Sequence, residues 1–175
     1  NANGKSASKE VSVSQQANSV TYAVTDVTLA APADIPASGG SVSSTTVTAK
    51  GSQTYTSGSV TSDVALTNGS DDCTITFSEG VSAASLGTTV TNRTKKGTLT
   101  ATVTWKTTAT KSASVDVYQA ANTATYGDIT FDSAVATEVS LKADGTQSRN
   151  MTDNSNVGAK QTVTYTSGAT RTEAS

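Results

Sequence analysis

The sequence contains no histidine and only one cysteine, and these two scarcities limit the chemistry that the chain can perform. Histidine is the usual general base near neutral pH and a common metal ligand, so the commonest catalytic and metal-binding arrangements are excluded. The single cysteine, Cys73, cannot form an intrachain disulfide. It is expected to lie on the same strand face as Ile75 and Phe77, with polar residues between them. This pattern predicts a buried core thiol and not a nucleophile. We therefore predict a chain that is not an enzyme and holds no cofactor and no metal.

Proline, aromatic residues and net charge are scarce as well. Two prolines are too few for a proline-rich stalk, and the polar residues are mainly Ser and Thr, of which Thr favours strands. Lys and Arg number 12 against 14 Asp and Glu, a net charge of −2, so the sequence predicts no nucleic-acid partner. No apolar run approaches the roughly 18–20 residues of a membrane span, and no membrane insertion is expected. The composition therefore predicts a folded domain.

One stretch of the chain occurs twice. Residues 15–22 read QQANSVTY, and residues 119–126 read QAANTATY. A shared pentad, TYTSG, follows each copy, at residues 54–58 and again at residues 164–168. The chain is therefore organised around an internal repeat.

The spacing of this repeat predicts the domain organisation. Asn18 and Asn122 hold the same place in the two copies and lie 104 positions apart, which is the length of a domain and not of a solenoid unit. We therefore expect the closing strand of a preceding repeat at 1–17, a complete repeat at 18–121, and the first half of the following repeat at 122–175.

Alternation of apolar and polar residues predicts strands along the chain. The clearest strand runs from Leu99 to Trp105, and a half-buried strand is expected over residues 9–15. Residues 20–29 predict either one strand with a bulge near Asp26 or two short strands. Roughly seven to nine short strands in the complete repeat are typical of a sandwich. The predicted fold class is all-β, with tandem immunoglobulin-like β-sandwiches, one complete and two partial.

Turns and core residues follow from the same pattern. A turn is predicted at Lys50-Gly51, and residues 68–72, which read NGSDD, are a strong turn signal. Six apolar residues have the parity expected of one core between two sheets. These are Ile75, Phe77, Leu99, Val103, Trp105 and Val117.

The motif at residues 111–122, KSASVDVYQAAN, resembles the end of BACON-like and related bacterial immunoglobulin-like repeats. Residues 90–105 are similar to the penultimate hairpin of such repeats. The resemblance implies a β-sandwich from a multidomain surface protein or glycan-degrading enzyme of gut bacteria, or from a structural protein of their phages. It also implies an extracellular, cell-surface or virion location.

Candidate binding residues are few. Tyr55, Tyr118 and Tyr165 lie near predicted strand ends and are weak candidates for stacking on a sugar ring. Tyr22 and Tyr126 recur at one repeat position, which favours a shared packing role.

Acidic turn residues provide one further candidate. Asp71-Asp72 and the loop from Asp144 to Asp153 could bind calcium, but they lack the spacing of a calcium loop. Solvated turn acids are the preferred interpretation.

Three functional hypotheses remain open. The first is a structural or adhesive extracellular protein of tandem repeats, in a bacterial surface fibre or a phage particle, whose partners are adjacent copies or neighbouring repeats. The second is a carbohydrate-binding module whose partners are surface glycans. The third is an accessory part of a larger glycan-degrading enzyme.

The incomplete repeats predict a need for further strands. We expect other polypeptide to complete them, because half a sandwich leaves a sheet edge and an apolar face open. The alternative is a reduced sandwich built from residues 1–17 and 122–175. That alternative requires the amides of Val11 and Val13 to pair with residues 162–164.

Overall fold

The computed structural model describes residues 3–4, 7–78, 81–131, 143 and 158–174. In these residues the regular structure is entirely β, which confirms the all-β prediction. No helix long and apolar enough to cross a membrane is present in them. The strands are β1 (Val20–Leu29), β2 (Gly40–Ser41), β3 (Val47–Tyr55), β4 (Val60–Leu66), β5 (Cys73–Ser78), β6 (Ser82–Ala83), β7 (Thr94–Trp105), β8 (Ala109–Gln119), β9 (Ala124–Phe131), β10 (Ala159–Tyr165) and β11 (Thr170–Ala174).

These strands form small antiparallel sheets. Three sheets have three strands each, in the orders β1-β3-β4, β5-β7-β8 and β11-β10-β9, and β2 pairs with β6. The strand β1 runs unbroken, and its inward set changes parity at Thr25 and Asp26, which are both exposed. One strand with an irregularity near Asp26 is therefore the correct form of that prediction.

The chain divides into two compact units, each assembled from three stretches of sequence. Unit 1 comprises Asn1–Val27, Thr48–Ile75 and Val103–Lys111, and unit 2 comprises Thr28–Val47, Thr76–Thr102 and Ser112–Ser175. Each unit has its own buried apolar side chains.

The largest buried side chain of unit 1 is Trp105, which has no exposed surface. The ring of Tyr22 meets it edge-on, with the ring centroids 5.0 Å apart. The indole N–H donates to the backbone oxygen of Asp71 at 3.1 Å, so the polar end of the ring is also satisfied. The other buried apolar residues of this unit are Val27, Ala49, Leu66, Cys73, Val103 and Ala109.

Unit 2 contains a hydrophobic cluster built on β7 and β8. Leu99 and Ala101 alternate along β7 and pack with Val117 of β8. Leu29, at the end of β1, and Ile35 complete the cluster. Period-two alternation places the apolar residues of each strand on one face, which is why the sequence pattern identified Leu99 and Val117.

The predicted turn at Lys50-Gly51 is wrong, because β3 runs through it. A Cβ atom on Gly51 would lie 2.5 Å from Cζ3 of Trp105, well inside contact distance. Glycine is therefore required where the indole ring approaches the strand backbone, and it does not mark a turn.

The prediction of a buried Phe77 is also wrong. Burial falls along β5 from Cys73, which is 1% exposed, through half-buried Ile75 to Phe77, which is 45% exposed. Phe77 and Leu99 line an open cavity of about 310 Å³, together with residues 42–45. Residues 42–45 form no strand, so in the described residues an irregular segment lies on this side of Phe77, where the parity argument assumed a second sheet.

The N-terminal segment does not form the predicted strand. Residues 7–17 have no strand pairing, and Val11 and Val13 are 77% and 93% exposed. Both edges of β10 are occupied, by β9 and β11, so residues 162–164 do not pair with Val11 or Val13. The reduced sandwich is therefore not formed. A strand requires hydrogen-bonded neighbours, and alternation alone does not supply them.

Candidate functional site

In the second copy, the motif at residues 119–126 and the TYTSG pentad at residues 164–168 come into contact at Asn122. The side-chain oxygen of Asn122 accepts hydrogen bonds from the backbone N–H of Ser167, at 2.8 Å, and from the hydroxyl of Thr166, at 3.1 Å. The N–H of Thr166 donates to the backbone oxygen of Thr123, and the N–H of Thr123 donates back to Oγ1 of Thr166. Asparagine and pentad together therefore form one hydrogen-bonded unit.

The first copy repeats this arrangement bond for bond at Asn18. Its side-chain oxygen accepts from the N–H of Ser57 at 3.0 Å and lies 3.2 Å from the hydroxyl of Thr56. Ser19 and Thr56 exchange the same pair of bonds that join Thr123 and Thr166 in the other copy. We call each unit an asparagine clasp, formed by Asn18 with residues 56–57 and by Asn122 with residues 166–167.

Glycine closes the turn in each clasp. Gly58 and Gly168 have positive φ angles of 92° and 87°, which L-residues with side chains rarely adopt. Their N–H groups donate to the oxygens of Tyr55 and Tyr165, both at 2.9 Å. The shared TYTSG pentad is therefore the sequence of a hairpin turn that presents the Thr hydroxyl and the Ser amide to the asparagine.

The clasps differ in their outward half, which consists of the backbone N–H, the backbone oxygen and the side-chain amide nitrogen of the asparagine. Asn122 is 0% exposed, and its side-chain amide donates to the backbone oxygens of Gly87 and Thr89, at 2.9 and 2.8 Å. Its backbone pairs with Thr91, N–H to oxygen in both directions at 3.0 and 3.1 Å. The hydroxyl of Ser167 also donates to Gly87. Asn18 is exposed, and in the described residues its amide nitrogen has no protein partner.

Gln119 anchors the chain just before the buried clasp. Its side chain is 1% exposed and donates to the backbone oxygens of Pro36 and Ala84, at 3.2 and 2.9 Å. Ile35 pairs with Gln119 in a parallel bridge. These contacts hold the end of β8 against the rest of unit 2, so the passage from Gln119 to Asn122 leaves no free linker.

Two buried oxygens near this point lack a hydrogen-bond partner in the described residues. They are Oε1 of Gln119 and Oγ1 of Thr91, and both residues line a cavity of about 200 Å³. The cavity is large enough for ordered water, which commonly satisfies such groups.

The three tyrosines proposed for stacking differ in how far their rings are covered. Tyr165 is 4% exposed. The guanidinium of Arg93 lies 3.7 Å from the ring centroid of Tyr118 and covers that face. Tyr55 is half-buried, and its hydroxyl donates to Gln53. Tyr165 is therefore too buried to stack on a sugar ring, and Tyr118 has one face covered, whereas stacking by the half-buried Tyr55 stays a prediction.

The shared packing role expected of Tyr22 and Tyr126 is not observed. Tyr22 packs on Trp105, whereas Tyr126 is 59% exposed on β9. The counterpart of the β7 tryptophan is not present beside β9 in the described residues, so the same sequence position has no ring to pack against.

The acidic residues of the turn at residues 68–72 form ion pairs with a lysine. Asp71 and Asp72 both lie within salt-bridge distance of the ammonium group of Lys106. The hydrogen bond from Lys106 lowers the pKa of Asp71. No group of three or more potential metal ligands occurs in the residues that the structure describes, and the loop from Asp144 to Asp153 lies outside them.

Burial lowers the reactivity of the Cys73 thiol. Desolvation, with a smaller contribution from Asp71, raises the pKa of Cys73. A buried thiol with a raised pKa is a poor nucleophile, in agreement with the core interpretation.

Comparison with protein-family models, curated proteins and solved structures found no match. The two asparagine clasps are the most distinctive feature that the described residues show. The sequence indicated Asn18, Asn122 and the pentads as repeated features. It did not indicate that residues 87–91 cover one clasp, because that segment carries no motif of its own.

Proposed function

We propose that this chain belongs to a non-catalytic, structural or adhesive extracellular protein. In this proposal the small sheets form immunoglobulin-like sandwiches repeated in tandem, and the assembly serves as a bacterial surface fibre or a phage particle component. The observation that carries the proposal is the covered clasp at Asn122. A repeat that ends at a buried asparagine whose own polar groups are all hydrogen-bonded can stack on the next one with little freedom at the boundary.

The hydrogen bonds of the junction support a mechanical role. Asn122 uses its backbone N–H, its backbone oxygen, both amide hydrogens and its side-chain oxygen within one buried contact. Buried polar groups with every partner in place specify one geometry, because any displacement leaves several of them unsatisfied. Such a boundary transmits force between repeats without a flexible spacer.

The carbohydrate-binding alternative has no comparable support. Of the three tyrosines considered for stacking, Tyr165 is buried and one face of Tyr118 is covered by Arg93.

Replacing Asn122 by Asp tests the junction. Asn122→Asp keeps the oxygen that accepts from Ser167 and Thr166, but it turns a second oxygen toward the carbonyls of Gly87 and Thr89. We expect a loss of about 3 kcal/mol or more in the free energy of unfolding at neutral pH, because a buried charge then faces two acceptors. Urea unfolding measures the loss, and NMR relaxation measures whether residues 158–174 then tumble independently of residues 112–119.

Asn18→Asp is the matched control in the same chain. It makes the same chemical change in a clasp whose outward half faces solvent, so we expect a change within about 0.5 kcal/mol. If Asn122→Asp costs no more than Asn18→Asp, and the motion of residues 158–174 is unaltered, the junction is not held by these bonds. The stacked-repeat proposal then fails.

A further inference from the structure

The exposed clasp at Asn18 carries the same outward groups that are buried at Asn122. Its backbone N–H, backbone oxygen and side-chain amide have no protein partner in the described residues. At Asn122 those groups bind residues 87, 89 and 91 of the preceding repeat. The first clasp is therefore a contact surface whose complement can be read from the second.

The exposed segment before Asn18 matches the last strand of the complete repeat. Counting back from each asparagine, Gln15 corresponds to Gln119 and Val13 corresponds to Val117. Val117 and Gln119 are 0% and 1% exposed, whereas Val13 is 93% exposed. The two stretches share one pattern, but only β8 is covered.

The contacts of Val117, Gln119 and Asn122 indicate which partners Val13, Gln15 and Asn18 would need. Val117 packs in the cluster of unit 2, and Gln119 donates to the carbonyls of residues 36 and 84. These partners all belong to the body of the repeat. A glycan or a lipid surface would not offer this combination of an apolar cluster, two carbonyls for a glutamine amide and a strand-like edge for an asparagine.

We propose that residues 7–18 form the docking surface for a second copy of the repeat body. In the docked state residues 7–17 serve as the closing strand of that copy, and Asn18 binds its counterpart of residues 87–91. Val13 enters the apolar cluster, and Gln15 takes the bonds that Gln119 makes here. The inference rests on the proposed function, because it names the partner of a second junction of the same kind.

One irregularity is expected in the docked strand. The tetrad KSAS at residues 5–8 recurs at 111–114, but it lies two residues farther from its asparagine in the first copy. A β-bulge would absorb the extra residues while Val13 and Gln15 keep the register of Val117 and Gln119.

The test keeps the 175-residue chain and adds a second repeat body before it. In the extended chain, a second copy of residues 18–110 is placed directly before Lys5, so that residues 7–17 are the only closing strand available to it. Hydrogen exchange is followed by NMR at the amides of residues 11–15 and Asn18. We expect exchange at these amides to be at least about 100-fold slower than in the unextended chain, since they become part of a folded repeat.

Two substitutions in the extended chain test the assigned contacts. Val13→Asp should abolish the protection, whereas Ser12→Asp should retain it, because the counterpart of Ser12 is Asp116, already an exposed aspartate. Asn18→Asp should remove the protection at Asn18 in the extended chain while remaining neutral in the unextended one. Unchanged exchange in the extended chain, or equal effects of Val13→Asp and Ser12→Asp, would overturn the proposal.

A second extended chain separates this inference from the proposed function. It places residues 18–121 directly before Asn18, so that the added copy keeps its own closing strand and residues 1–17 are omitted. If this chain folds in tandem but the first one does not, residues 7–17 are not a closing strand and only the inference fails. If neither added copy folds, the tandem-repeat function itself is contradicted.

Discussion

Trp105 shows how one residue determines the choice of another. Its ring lies against the edge of Tyr22 and against the backbone of β3, where only glycine leaves enough space. Its N–H reaches the backbone oxygen of Asp71. The tryptophan therefore accounts for the glycine at position 51, which otherwise resembles a turn signal.

Removing the ring should be costly. We expect Trp105→Ala to lower the free energy of unfolding by about 3–5 kcal/mol, because a fully buried aromatic side chain leaves a cavity. Trp105→Phe should cost less, since it keeps the edge contact and loses only part of the ring and its N–H. Urea unfolding followed by circular dichroism measures both. A change within about 0.5 kcal/mol for Trp105→Ala would contradict the burial.

The glycine at position 51 provides a coupled prediction. Gly51→Ala should destabilise the native chain, because its Cβ atom would lie 2.5 Å from the indole. In a Trp105→Ala background the same change should be close to neutral. A double-mutant cycle from urea unfolding measures the coupling, which we expect to be about 1–3 kcal/mol. Equal costs in the two backgrounds would show that the ring is not the reason for the glycine.

At the scale of elements, β7 and β8 are joined by hydroxyl pairs on their polar face. Thr100 pairs with Ser114 at 2.9 Å, and Thr102 pairs with Ser112 at 2.8 Å. The outward threonines of the sequence are therefore engaged across the strands and contribute to pairing.

The entry to β7 is held by an ion pair. Arg93 donates two hydrogen bonds to the carboxylate of Asp34, at 2.6 and 2.8 Å, and its guanidinium lies over Tyr118. This pair joins the segment before β2 to the start of β7. The hydrogen bond from Arg93 lowers the pKa of Asp34 below its ordinary value.

The ion pair predicts a specific acid sensitivity. A carboxyl group whose pKa is lower in the folded state stabilises the fold above its unfolded pKa of 3.8, and this contribution is lost as the pH falls through the folded value. Asp34→Asn should therefore reduce the fall in stability on acidification. Urea unfolding between about pH 2 and pH 6 measures the slope. Arg93→Lys, which keeps the charge without the two-point contact, should give an intermediate slope, and an unaltered slope in Asp34→Asn would contradict the assignment.

At the scale of the whole molecule, equivalent sequence positions have different surroundings. Tyr126, Ile129 and Phe131 on β9 are all more than half exposed, although their strand follows the same junction motif as β1. Val11 and Val13 are exposed in the same way before the first clasp. Apolar residues at equivalent positions of the two copies, such as Val13 and Val117, therefore differ in how far they are covered.

Matched charge substitutions should show this difference directly. Val117→Asp should cost more than about 3 kcal/mol, because Val117 is fully buried, whereas Val13→Asp should change the free energy of unfolding by less than about 0.5 kcal/mol. Both variants are compared with the parent chain by urea unfolding. A large cost for Val13→Asp in the unextended chain would mean that this segment is already packed.

The sequence alone determined the strands, much of the core and the repeat. Alternation in β7 and β8 placed Leu99, Val103, Trp105 and Val117 inward, because side chains on a strand point to opposite faces in turn. The recurrence of the asparagine and the TYTSG pentad marked the clasps before their bonds were known. These features are local, so a short stretch of chain is enough to specify them.

Only the tertiary structure decided which of the patterned residues are covered. Phe77 and Val13 have inward parity yet are exposed. A glycine is needed inside β3 at position 51 because the ring of Trp105, more than fifty positions away in the sequence, lies against the backbone there. The two asparagines have the same local motif, but only Asn122 meets residues 87–91. Burial and pairing depend on neighbours that are distant in the chain, and a local pattern cannot report whether such a neighbour is present.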